Sequence, residues 1–104
     1  MFKLVRDKIP EIIKANHKNP EIKVVENDRD YFAALNEKLL EEVNEFIEAS
    51  CKGDKVAMEE IADILEVIES ICKFKKYDRQ LIENYKLQKK KERGGFDNRI
   101  MLKI

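Results

Sequence analysis

The chain has 104 residues, which suits one domain spanning 1–104, and its 43 % hydrophobic and 40 % charged residues exclude a disordered chain. Twenty-one basic residues balance twenty-one acidic ones, so the formal net charge of zero gives no strong global field for nucleic acid or an anionic membrane surface. No apolar run approaches the ~20 residues needed to cross a bilayer.

The start, Met1-Phe2-Lys3-Leu4, lacks the apolar core of a signal peptide. Cys51 and Cys72 form no metal or redox spacing and read as two small buried thiols in a reducing, cytoplasmic setting. A domain of this size buries only about 60–70 % of its unfolded surface, so oligomerisation is expected to add stability.

In chain order, Leu4-Val5 starts a short strand. Pro10 opens a short helix that runs to about Asn16, since its missing N–H is not needed in a first turn. Asn19-Pro20 marks a turn, and Ile22-Lys23-Val24-Val25 reads as a strand. Asn27 or Asp28 caps a long helix whose apolar residues recur at Phe32, Leu35, Leu39, Val43, Phe46 and Ile47. Gly53 closes that helix in a left-handed conformation, and Asp54 caps the next.

The third helix carries Ala57, Ile61, Ile64, Leu65, Ile68, Ile71 and Cys72 on one face, with Lys73, Lys75 and Lys76 at its negative end. Asp78 caps a fourth helix with a weaker stripe of Leu81, Ile82 and Tyr85, stopped at Gly94-Gly95. Ile100-Met101-Leu102 is predicted to pair with Leu4-Val5 as a strand. The short connections between long helices predict antiparallel neighbours, hence an all-α, four-helix bundle with small terminal strands.

Two tetrads stand out, Glu42-Val43-Asn44-Glu45 and Glu60-Ile61-Ala62-Asp63. Residues three apart share a helix face, so each tetrad sets two carboxylates side by side. At about 100° per residue, Glu42 and Glu45 lie roughly 70–130° to one side of the apolar stripe, and Glu60 and Asp63 roughly 60–120° to the same side of theirs. In an antiparallel hairpin that shared rotational side need not mean a shared edge. The pairs then meet if the helices roll, or across a dimer.

Four carboxylates at the edge of a core are costly without a counter-charge. A hard divalent cation is the usual remedy, and Mg²⁺ prefers oxygen ligands and shares its shell with substrate phosphates. Four acids leave room for two ions, an arrangement that clamps the attacking and leaving oxygens of phosphoryl transfer. The competing readings are a solvated, salt-bridged helix face and a di-iron carboxylate bundle. The latter needs histidines three residues after glutamates on two helices, whereas the single histidine, His17, lies elsewhere in a turn.

The tetrads, fourteen residues apart, resemble the E-x-x-E…E-x-x-D signature of the all-α NTP pyrophosphohydrolase superfamily, which includes MazG, dimeric dUTPases and phosphoribosyl-ATP pyrophosphohydrolase. The start, Lys3-Leu4-Val5-Arg6-Asp7-Lys8-Ile9-Pro10, and Arg93-Gly94-Gly95-Phe96 resemble a compact subgroup described as phosphoribosyl-ATP-pyrophosphohydrolase-like. The resemblance covers nearly the whole chain. It implies a MazG-like bundle assembled as a homodimer or dimer of dimers, with Leu35, Phe46, Ile64, Val67 and Ile71 as interface candidates. It implies Mg²⁺, replaceable by Mn²⁺, held by Glu42, Glu45, Glu60 and Asp63. The implied reaction cleaves a nucleoside triphosphate to monophosphate and pyrophosphate by a metal-activated water, in a house-cleaning role. Glu41 and Glu59 are candidates for orienting water, and Glu45 for accepting the proton.

Such a substrate needs cations. Lys86, Lys89, Lys90 and Arg93 share a face of the fourth helix, although Lys90 stands where related enzymes carry an Asn. Arg6, Asp7 and Lys8 form a second candidate phosphate or sugar site. Tyr31, Phe32, Phe74, Tyr77 and Phe96 are candidates for stacking on a base. The alternatives are a histidine-pathway enzyme acting on phosphoribosyl-ATP and a non-catalytic helical interaction module.

Overall fold

Asn27 opens the first long helix with an extended backbone (φ −82°, ψ 129°), and its side chain accepts from the Asp30 amide at 3.1 Å. In the computed structural model, which describes residues 1–104, four helices follow in order: α1 (Ile9–Ala15), α2 (Asp28–Ala49), α3 (Asp54–Lys75) and α4 (Arg79–Arg93). Asp28 and Asp30 sit in the first turn of α2, where the helix dipole favours negative charge. α2 and α3 have 22 residues each and pack as an antiparallel hairpin. At 1.5 Å per residue each is about 33 Å long. Lys76 ends α3 in the left-handed region (φ 58°), and Asp78 caps α4 by accepting from the Gln80 and Leu81 amides. No helix is long and apolar enough to cross a membrane.

The hairpin turn differs from the expected one. α2 ends at Ala49 and the chain turns through Ser50 to Lys52, so Gly53 does not close α2. It is instead the residue before α3, with φ 145° and ψ 157°, a region open essentially to glycine alone. Asp54 is then the first helical residue rather than the cap, and its charge acts on the dipole without a capping hydrogen bond.

The chain is all-helical, and the three predicted strands do not form. A strand persists when its N–H and C=O groups find a partner ladder. No backbone hydrogen bond joins Leu4-Val5 to Ile100-Met101-Leu102, and the segment 20–26 makes none outside the start of α2. Beyond the Gly94 N–H bond that caps α4, the one backbone bond is Arg99 N–H to Phe96 C=O. β-propensity without a neighbour is insufficient.

Only five residues are buried: Leu35, Ala49, Val67, Cys72 and Glu42. Cys51 is exposed, so the expectation of two buried thiols holds for Cys72 alone. α4 buries nothing, and the radius of gyration is 17.6 Å. A compact chain of this length has about 13 Å. A single chain therefore consists of one hairpin with its N-terminal segment against it and α4 standing away.

The sheltered side of α3 is also rotated from the predicted stripe. Ala57, Glu60, Ile64, Val67, Ile71 and Phe74 are sheltered, while Ile61, Leu65 and Ile68 are exposed. α3 carries apolar residues over more than the single stripe that one partner helix covers. On α2, Leu40 and Ile47 are likewise exposed, whereas none of the expected interface residues Leu35, Phe46, Ile64, Val67 and Ile71 is, because the hairpin shelters them within one chain.

Candidate metal centre

Two antiparallel helices are related by a twofold axis normal to the plane that contains both. Rotation about that axis leaves the front at the front. Side chains offset in the same rotational sense on α2 and α3 therefore emerge on one face of the hairpin, with no roll of the helices. Oxygens of Glu42, Glu60 and Asp63 accordingly come within 4.8 Å of one another inside one chain, and those of Glu41, Glu42 and Glu45 do the same. Glu42 belongs to both groups and is the centre of the cluster.

Glu42 is 5 % exposed, and its Oε1 lies 3.1 Å from the Lys38 ammonium one turn earlier. Its other oxygen, Oε2, is fully buried without a hydrogen-bond partner, and so is Oε2 of Glu60. Buried carboxylate oxygens normally have partners, so two orphans facing one cluster are a position for a cation or a proton. Asp63 Oδ1 accepts from Arg6 at 2.6 Å. Glu41 accepts from Lys3 at 2.8 Å and from Lys38 at 3.2 Å. Three cations thus face five carboxylates, an excess of two acidic groups that bound protons or a divalent ion would compensate.

The acid–base character follows from these contacts. Burial, the Glu42 side chain and the negative charges of Glu45, Glu42 and Asp63 push the Glu60 carboxyl from 4.5 up to about 7. Burial and the charge of Glu42 raise Glu45 as well. Glu41 moves the other way, because Lys3 and Lys38 hydrogen-bond its charged form. Burial opposes the charge on Lys38, yet its hydrogen bonds to Glu42 and Glu41 outweigh that and hold the ammonium above its usual range.

A cavity of about 670 Å³ adjoins the cluster between the hairpin and the N-terminal segment. Glu42, Asp63, Lys38 and Arg6 line one part of it, and Tyr31, Leu35, Val67 and Phe74 supply apolar walls. Its size is within the range usual for small-molecule sites. Tyr31 meets Phe74 edge-on at 5.0 Å between centroids, and Phe32 stacks behind Phe74 at 6.1 Å.

Of the predicted cations, Arg6 lines this cavity and Lys8 does not; Lys8 precedes α1. Lys86 pairs with Glu83 on its own helix, and Lys90 is exposed in the last turn of α4. Arg93 and Phe96 border a separate shallow cavity formed by the segment 93–101. Tyr77 is exposed. Glu59 is exposed beside Lys55.

Two participants were missed by the sequence reading. Lys38 was legible, since it precedes Glu41 by three residues and Glu42 by four, the spacing of a helical ion pair. Lys3 was not, because its partner lies 38 residues away.

One stretch of 45 residues is 51 % identical to an uncharacterized protein of Mycolicibacterium smegmatis, covering 43 % of this chain and 45 % of that protein. The chain thus spans less than half the length of this relative. No protein-family profile matches the chain, and no solved structure matches it.

The donor set suits a hard divalent cation. All candidate ligands are carboxylate oxygens, two of them buried and unpaired, which fits Mg²⁺ or Mn²⁺ better than a metal that prefers nitrogen or sulfur.

Proposed function

We propose that the chain is a Mg²⁺-dependent nucleotide pyrophosphohydrolase of the MazG-like, all-α class, with Mn²⁺ as a substitute ion. The observation that carries this reading is the buried, unpaired Oε2 of Glu42, set within one group with Glu60 and Asp63 beside a cavity of nucleotide size. The substrate class is nucleoside triphosphates, including non-standard ones, and the products are the monophosphate and pyrophosphate.

Glu42, Glu45, Glu60 and Asp63 would hold the ion. A divalent ion there supplies a lowered pKa for a reacting water and neutralises phosphate charge. Glu45 is the candidate proton acceptor, since it adjoins Glu42 but lies outside the group that Glu42 forms with Glu60 and Asp63. Glu41, held ionised between Lys3 and Lys38, fixes the position of Lys38 and through it the orientation of Glu42. Tyr31 and Phe74 offer the apolar surface that a base requires.

The exposed apolar residues Leu40, Ile47, Ile61, Leu65 and Ile68 support a homodimer or dimer of dimers. Their rotational offset is opposite in sense to that of the acids, so they share the back of the hairpin. Such an assembly would close the bundle that one chain leaves open. A reducing cytoplasm fits the two free thiols.

The test is pyrophosphate release over a panel of standard and damaged nucleotides, with phosphoribosyl-ATP included, in Mg²⁺ and in Mn²⁺. Release from nucleoside triphosphates supports the proposal. Release from phosphoribosyl-ATP alone would make it a histidine-pathway enzyme. No release, with no metal binding at millimolar concentration, would leave a helical interaction module.

A further inference from the structure

Arg6 is joined to Asp63 by a single 2.6 Å bond, and both residues line the same cavity. The pair is largely in contact with solvent, with 56 % of the Arg6 side chain and 37 % of that of Asp63 exposed. An ion pair this exposed is worth little and is easily exchanged. The segment that carries Arg6 is not built into a helix or a ladder; its other side-chain ties are Lys3 to Glu41 and the Phe2 ring to the Lys23 ammonium. A guanidinium leaving Asp63 therefore stays tethered at the cavity wall. Its planar array of five donors matches phosphate oxygens as well as it matches a carboxylate.

We propose that Arg6 exchanges partners: it neutralises Asp63 until a divalent cation takes that carboxylate, and it then binds an anionic phosphate group of the ligand in the adjoining cavity. This rests on the metal reading above and adds to it an order of events. The ion and Arg6 compete for Asp63 when no phosphate is present, and they cooperate once it is. The same side chain thus keeps the acid cluster from being uncompensated and makes phosphate binding depend on the metal.

The exchange is tested by calorimetry on the full chain, without turnover. Mn²⁺ alone is titrated into the wild type and Arg6→Gln; imidodiphosphate is then titrated into each at saturating Mn²⁺. The expected result has two opposite parts. Arg6→Gln binds Mn²⁺ about two- to fivefold more tightly, the gain set by an exposed ion pair. It binds imidodiphosphate about tenfold more weakly, as expected for a lost charge-assisted hydrogen bond. Lys14→Gln removes the same charge from α1 outside the cavity lining and is expected to change neither affinity, which separates a local contact from net charge. Equal Mn²⁺ affinity in wild type and Arg6→Gln, or equal imidodiphosphate affinity, overturns the exchange and leaves the metal centre standing. Equal changes in Lys14→Gln overturn it too, as a net-charge effect. Absence of Mn²⁺ binding in both wild type and Arg6→Gln overturns the metal centre, and the exchange with it.

Discussion

Lys38 reaches Glu42 at 3.1 Å across one turn of α2 and is the only cation bonded to the buried centre of the acid cluster. The same ammonium bonds Glu41 at 3.2 Å. Replacing it by methionine keeps the packing volume and leaves two acids without their shared counter-charge. Lys38→Met is expected to destabilise the metal-free chain by about 2–3 kcal/mol, less than for a fully buried pair because Lys38 retains some solvent contact. Millimolar Mg²⁺ is expected to restore part of that loss. Urea denaturation with and without Mg²⁺ checks both statements.

Glu42→Gln and Asp63→Asn each remove one charge with almost no change of shape. Turnover is expected to fall by about 100-fold or more, because a ligand and its share of the ion's charge are lost together. Far-ultraviolet circular dichroism is expected to match the wild type. Retention of most of the activity in either variant would contradict the ligand assignment.

The Glu60 carboxyl defines a pH window. Its folded-state value of about 7 lies above the ordinary 4.5, so between those values the folded chain holds a proton that the unfolded chain has released. That stabilising contribution is complete below pH 4.5 and is lost as the pH rises through 7. Glu45 shifts in the same direction. Glu41, whose value is lowered, contributes stability above 4.5 that disappears as the pH falls further. The melting temperature of metal-free protein is thus expected to decrease between about pH 5 and 8. Protons and Mn²⁺ compete for the same oxygens, so the stabilisation by Mn²⁺ should grow over that range. Thermal melts in paired buffers measure both trends.

Leu65 is 59 % exposed and Leu40 62 % exposed on the back of the hairpin. A charge at either position meets water in the lone chain, so Leu65→Glu or Leu40→Glu should change the intrinsic stability by less than about 0.5 kcal/mol. In an assembly that buries this face, the same charge would be desolvated without a partner. Sedimentation velocity is expected to show an oligomer for the wild type and a smaller species for the variants.

The helices were legible because their signals are local. Asn27, Asp78 and Gly94 mark boundaries through bonds spanning two to four residues, and the structure places the start of α2 and both ends of α4 there. Gly53 misled because a glycine after an apolar helix serves equally well as its C-terminal stop or as the extended residue before the next helix. The length of the turn decides, and sequence does not fix it. The strands failed for a related reason: Ile100-Met101-Leu102 has the composition of a strand, but pairing is a long-range property. In the site, the side of each helix that carries the acids was legible from 100° periodicity. Their convergence required the symmetry of the antiparallel pair. Arg6 and Asp63 are 57 residues apart in sequence, a contact that no local pattern announces.

Crystals grown in Mn²⁺ and measured at the manganese absorption edge show most directly whether Glu42, Glu60 and Asp63 share a divalent cation. An anomalous peak bonded to oxygens of those three residues is expected, with Arg6 moved off Asp63. A well-ordered cluster with no peak at millimolar Mn²⁺, or manganese bound only elsewhere, would contradict a shared cation.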